Sequence, residues 1–141
     1  MFSNAYIEIT NICNLSCSFC HGTKRAPRTM SEHEFDRALS QVAPYAKTVF
    51  FHLLGEPLIH PLLPAFIKKV RALGINPVVT TNGTLLSRLG DDIINAAVYK
   101  VNVSLHSYEA NTIGIPFEKY LGDVLDFSEK ALLSLLDNKL C

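Results

Sequence analysis

Short apolar runs alternate four times with longer segments of helical period, and that alternation limits the fold more than any other feature of the chain. In residues 6–10, Tyr6, Glu8 and Thr10 fall on one face and Ile7 and Ile9 on the other, the period of a strand. "TVFFHLL", residues 48–54, is nearly unbroken and apolar, which suits a strand buried on both faces. Residues 76–81, "NPVVTT", and 100–106, "KVNVSLH", are the third and fourth strands. A first helix opens at Ser31, three residues before Glu34 in capping-box spacing, and presents Phe35, Ala38, Leu39 and Val42 before Pro44 ends it. A second begins near Pro61, with Leu62, Leu63, Phe66, Ile67, Val70 and Leu73 as its stripe and Gly74 as a left-handed cap. A third covers 87–97, with Leu89, Ile93, Ile94 and Ala97 inward. A fourth covers about 117–136, with Tyr120, Leu121, Val124, Leu125, Ser128, Ala131, Leu132 and Leu135. Strand–helix units of these lengths imply right-handed crossovers and a parallel α/β sheet.

Composition narrows the function classes. The 141 residues are the size of one domain, and 48% hydrophobic with 18% charged residues is a globular balance. A formal net charge of zero gives no sign of a nucleic-acid or membrane surface. No apolar run reaches the roughly 20 residues of a membrane helix. The start "MFSNAYIEIT" has no secretory pattern, so a cytoplasmic protein is expected. Under reducing conditions clustered thiols read as metal-binding or catalytic. Cys141, far from the cluster in sequence, reads as an incidental terminal thiol.

In a parallel sheet the residues just after each strand meet along one rim, where ligands bind. Here those stretches are the cysteine loop, "GEP" (55–57), "NGT" (82–84) and "SLHS" (104–107). Cys13, Cys17 and Cys20 have the spacing C-x3-C-x2-C. Thiolates so close can wrap one metal centre. On an iron–sulfur cube they would ligate three irons and leave the fourth open to a substrate or cofactor.

This spacing, with Phe19 just before the third cysteine, resembles the signature of the radical S-adenosylmethionine (radical SAM) superfamily. "IEITNICNLSCSFC" is similar to its first strand and cluster loop, "GEP" to its glycine–glutamate motif, and "TTNGT" and "VNVSLH" to its later landmarks. The resemblance implies a partial parallel (β/α) barrel, with about four of the usual six β/α units in residues 1–141 and the C-terminal side absent. It implies a [4Fe-4S] cluster on Cys13, Cys17 and Cys20, with S-adenosylmethionine on the open iron. It implies reductive cleavage to a 5′-deoxyadenosyl radical that abstracts hydrogen from an unidentified substrate. The electron would come from a donor such as flavodoxin or ferredoxin. Phe19 would cover the cluster near the adenine, and Gly55 would permit close backbone approach. Glu56 would support the methionine ammonium by charge, and Asn82 and Ser104 would bond the ribose or carboxylate. Lys24 or Arg25 is a further candidate for the carboxylate, and Glu8 and Thr10 would face a wet barrel interior.

Two other readings stand beside this one. Cys13, Cys17, Cys20 and His21 would complete a structural zinc set, although adjacent residues hardly face one metal together. A non-catalytic remnant or partner subunit would keep the loop and associate through an open sheet edge on strand four. Asn82-Gly83 also reads as a plain tight turn. His52 and His106 read as structural histidines, His33 and His60 as helix-entry residues, and "KKVR" (68–71) as a solvated helix face.

Overall fold

A computed structural model describes residues 3–137; Cys141 lies outside the described residues. The strands are β1 (Asn4–Tyr6), β2 (Thr48–Phe50), β3 (Asn76–Thr81) and β4 (Lys100–Val103). The helices are α1 (Glu32–Val42), α2 (Leu63–Ala72), α3 (Leu86–Asn95) and α4 (Phe117–Asp137). The four strands form one parallel sheet in the order β1-β2-β3-β4, the expected partial (β/α) barrel. Among the described residues no helix is long and apolar enough to cross a membrane.

The alternation along the strands decides the two faces. Ile7, Ile9, Val49, Phe51 and Val79 are buried in one core with residues of all four helices. Phe35 stacks on Phe66 with ring centroids 3.9 Å apart, and on Phe51 at 5.9 Å. Truncating a buried ring of this kind costs about 3–5 kcal/mol. The other face stays partly open: Tyr6 stacks on Phe50 at 4.7 Å yet remains 57% exposed. The expectation that β2 is buried on both faces is therefore corrected.

Several boundaries also differ from expectation: β4 ends at Val103 rather than 106, followed by a 3-10 turn at Leu105–Ser107, and α3 ends at Asn95 rather than 97. β1 pairs at residues 4–6 rather than 6–10. Ile7 N still donates to Phe50 O, but the extended chain then changes partner: Met30 N donates to Ile9 O and Thr10 forms an antiparallel bridge with Thr29. β2 ends at Phe50, with Phe51 N still donating to Val78 O, and further on Leu54 N donates to the Glu8 carboxylate (3.0 Å). From the proline of "GEP" a 3-10 turn, Pro57–Ile59, precedes α2, which starts at Leu63 rather than near Pro61. In α4 the buried residues are Tyr120, Val124 and Phe127, whereas Leu125, Leu132 and Leu135 are exposed. Phe127 is inward because α3 offers Gly90 there: a Cβ on Gly90 would lie 2.6 Å from the Phe127 ring.

Caps follow the expected chemistry. Ser31 and Glu34 exchange both capping-box bonds. Gly74 (φ +72°) closes α2, with Gly74 N on Arg71 O and Ile75 N on Val70 O. α3 ends in the same motif, but with Ala97 at φ +62°, past the helix and not inward as expected. An L side chain there costs about 1 kcal/mol. Ala97→Gly is expected to stabilise the fold by about that amount, raising Tm by about 3 °C in a thermal melt.

The structural histidine is His60, which is buried. Leu62 N can only donate, so Nδ1 of His60 accepts at 3.1 Å, and Nε2–H donates to Met30 O at 2.8 Å. Burial holds this imidazole below its ordinary value of 6.5, with the Met30 bond opposing. An unfolded chain would thus bind a proton, below pH 6.5, that the folded chain refuses. Stability is fully present above 6.5 and is lost as pH falls through the depressed folded value. Denaturant midpoints measured downward from pH 7.5 are expected to decline, and less steeply in His60→Gln; equal slopes would refute this.

Candidate functional site

Asn11 closes the neck of the cysteine loop. Its N donates to Arg28 O (3.1 Å), its Nδ2 to Ala26 O (2.9 Å), and its Oδ1 accepts from Arg28 N (2.7 Å). A loop tied in this way can carry exposed cysteines without core packing. Cys13 and Cys20 are exposed and Cys17 half-buried, and all three thiols are free.

Each sulfur has an N–H directed at it. Leu15 N lies 3.5 Å from Cys13 Sγ, Gly22 N 3.3 Å from Cys20 Sγ, and Asn111 Nδ2 3.1 Å from Cys17 Sγ. Burial pushes the Cys13 thiol up, the Leu15 N–H opposing.

The next two rim stretches are fastened to this loop. Gly55, at φ +81°, lies so close to it that a Cβ would fall 2.5 Å from Thr10 O. Glu56 N donates to Ile12 O at 2.8 Å. The Glu56 carboxylate is buried and both its oxygens are used: Oε1 accepts from Leu58 N (3.0 Å) and Oε2 from Asn82 N (2.8 Å). Burial pushes this carboxyl up, opposed by the Asn82 and Leu58 N–H groups and the Thr81 side chain. Asn82 Oδ1 accepts from Thr84 N at 3.0 Å, which is a tight turn, while Nδ2 donates to Asn14 Oδ1 at 2.9 Å. The tight-turn reading of Asn82-Gly83 is thus met, with Asn82 also tied to the cysteine loop. The fourth stretch joins through Ser104 N, which donates to Thr81 O at 2.9 Å.

All eight expected residues line one cavity of about 260 Å³: Cys13, Cys17, Phe19, Cys20, Gly55, Glu56, Asn82 and Ser104. His52, Thr80 and Ser107 line it too. His21, Lys24 and Arg25 do not. Arg25 pairs with Glu8 at 2.6 Å. Thr10 is buried, its hydroxyl donating to Arg28 O, so it faces no wet interior. His52 and His106 are not satisfied structural histidines. Nδ1 of His52 is buried with no hydrogen-bond partner among the described residues, and His106 is exposed, with its ring 4.5 Å from that of Phe19.

Local pattern left three contributors unmarked. Asn14 and Asn111 are ordinary loop residues by sequence, and Tyr120 counted only as part of an apolar stripe. In the structure the Tyr120 hydroxyl donates to Asn82 O at 2.8 Å, anchoring the "NGT" turn on α4.

The fold and site thus define a partial parallel (β/α) barrel whose three-thiol loop opens on a cavity at the carboxyl rim. The family model of the radical SAM superfamily matches residues 7–131, and the chain belongs to that superfamily. Among curated relatives, a protein named "Probable GTP 3',8-cyclase" from Methanothermobacter marburgensis is 30% identical over 135 residues, covering 93% of this chain and 44% of the relative. A GTP 3',8-cyclase of Chlorobaculum tepidum is 32% identical over 107 residues, covering 73% of this chain and 32% of that one. The chain thus spans less than half the length of these relatives. Among solved structures, BtrN in complex with AdoMet and 2-DOIA matches with a TM-score of 0.65 at 22% identity, over 73% of this chain and 45% of BtrN. Streptococcus suis SuiB bound to S-adenosylmethionine matches with a TM-score of 0.68 at 20% identity, over 89% of this chain and 31% of SuiB. At these identities the structural matches establish the fold.

Proposed function

We propose that this chain binds a [4Fe-4S] cluster through Cys13, Cys17 and Cys20 and S-adenosylmethionine in the adjoining cavity, and that it serves hydrogen abstraction from a substrate. The observation that carries this reading is one arrangement. Three free thiols, each with an N–H on its sulfur, share a cavity wall with the "GEP" and "NGT" stretches. The donor set fits such a cluster. Among the described residues no group of His, Cys, Asp and Glu gathers as a single ion requires, and His21 is off the wall, so the arrangement lends the zinc reading no support. A cube spreads its thiolates around separate irons.

The chemistry supplied on loading is one-electron cleavage of S-adenosylmethionine to methionine and a 5′-deoxyadenosyl radical. The residues of the chain bind and orient. Gly55 keeps the wall thin, so that the carbonyls ending the β2 segment can accept from the methionine ammonium. Glu56 acts on that ammonium by charge, since its oxygens are engaged by backbone N–H groups. Phe19, 52% exposed, offers its ring to the adenine, and Asn82 and Ser104 offer polar atoms to the ribose or carboxylate. A one-electron donor of the flavodoxin or ferredoxin kind is the partner this chemistry requires. No substrate is assigned, because the names of the relatives and neighbours point to different compounds: GTP, 2-DOIA and, for another SuiB structure, the precursor peptide SuiA.

The deciding experiment is anaerobic reconstitution with iron and sulfide, then dithionite and S-adenosylmethionine, assayed for 5′-deoxyadenosine. A brown protein that releases it is expected. A cluster without that product favours a non-catalytic partner subunit. No cluster would overturn the proposal.

A further inference from the structure

Asn111 stands between the 3-10 turn Leu105–Ser107 and α4, and its side chain reaches back to the cysteine loop. Its Oδ1 accepts from Ser16 N at 3.0 Å, and its Nδ2 donates to Ser107 O at 2.8 Å and to Cys17 Sγ at 3.1 Å. The orientation of the amide is forced. Ser16 N–H can only donate and the Ser107 carbonyl can only accept, so a flipped amide would lose both partners. One N–H is left for the sulfur.

The other thiols are served differently. The donors to Cys13 and Cys20 are backbone groups two residues further along the same loop, at 3.5 and 3.3 Å. Asn82 Nδ2 approaches Cys13 only to 3.9 Å and is already bonded to Asn14 Oδ1. Cys17 therefore has the shortest of these contacts, and its donor comes from 94 residues away, anchored on the β4 side of the rim.

We infer that Asn111 is a positioning residue that sets the reduction potential of the cluster bound at Cys13, Cys17 and Cys20. This rests on the cluster-binding reading above. A hydrogen bond to a ligating sulfur stabilises the reduced, more negative state more than the oxidised one, and so raises the potential. Anchoring the donor on Ser107 makes that potential depend on the fourth rim stretch keeping its place beside the loop.

Asn111→Leu keeps the branched shape and heavy-atom count of the side chain, at a larger volume, and Asn111→Ala removes it; neither adds charge, and both delete the N–H. They are reconstituted anaerobically beside the unsubstituted chain and titrated with dithionite, the reduced cluster being read by electron paramagnetic resonance. Iron and sulfide contents matching the unsubstituted chain are expected. The oxidised-to-reduced ratio at a fixed potential should rise about tenfold, a fall of about 59 mV for one electron. An unchanged potential in a variant that holds the cluster overturns the inference and leaves cluster binding intact. If neither variant takes up a cluster that the unsubstituted chain holds, Asn111 is a folding residue and the inference falls as well. An unsubstituted chain that assembles no cluster overturns the underlying reading itself.

Discussion

Cys17→Ala is expected to yield a folded chain that takes up no stable [4Fe-4S] cluster and releases no 5′-deoxyadenosine. The same result is expected for Cys13→Ala and Cys20→Ala. The effect is large because on a cube each thiolate holds its own iron, and His21, the nearest other donor in sequence, is off the cavity wall. The fold survives because the three thiols are exposed or half-buried and stand outside the hydrophobic core. Cys17→Ala gives up one N–H contact from Asn111, whose remaining bonds to Ser16 and Ser107 persist. The check is iron and sulfide content after anaerobic reconstitution, beside a circular dichroism spectrum. A single alanine variant with full iron content and unchanged colour would show that the ligand set is wrong.

Gly55→Ala is expected to act through the opposite balance, destroying stability first and the site with it. Its φ of +81° lies where an L residue is strained, and the added Cβ would fall 2.5 Å from Thr10 O and 2.9 Å from Ile12 O. Both obstacles are backbone, so no side chain can swing aside. Strain and overlap together cost about 3 kcal/mol or more, a fall of about 10 °C in Tm for a chain of this size. The displaced segment, Thr10 to Ile12, leads directly into Cys13, so cluster uptake falls too. Gly22→Ala is the control. It shares a positive φ, +60°, but its Cβ would meet nothing within 4 Å, and about 1 kcal/mol is expected. Equal melting temperatures for the two variants would refute the close approach at Gly55.

How much of this was legible follows from the range of each interaction. The cysteine triplet, "GEP" and "NGT" stood out because metal spacing and turn chemistry act over a few residues. The parallel order of the strands followed from the strand–helix rhythm, since short crossovers permit little else. The inward face of α4 was legible at Tyr120 and Val124 but not at Phe127. A run with leucine at many positions supports several stripes, and Gly90 on α3 selects the one containing Phe127. Thr10 alternates with isoleucine as an open-face residue should, yet its hydroxyl is taken by Arg28 O from the returning end of the loop. Glu56 looked like a charge presented to a ligand, and the fold engages both its oxygens internally.

From the sequence alone come the family resemblance, the three thiols and the rim on which they stand, because each depends on neighbours along the chain. Tertiary structure decided what holds the rim together: Asn14 on Asn82 across 68 residues, Tyr120 on Asn82 across 38, and Asn111 on Cys17 across 94. A single side-chain hydrogen bond over such distances leaves no periodic trace in a sequence. It exists only once the sheet has brought its four carboxyl ends together.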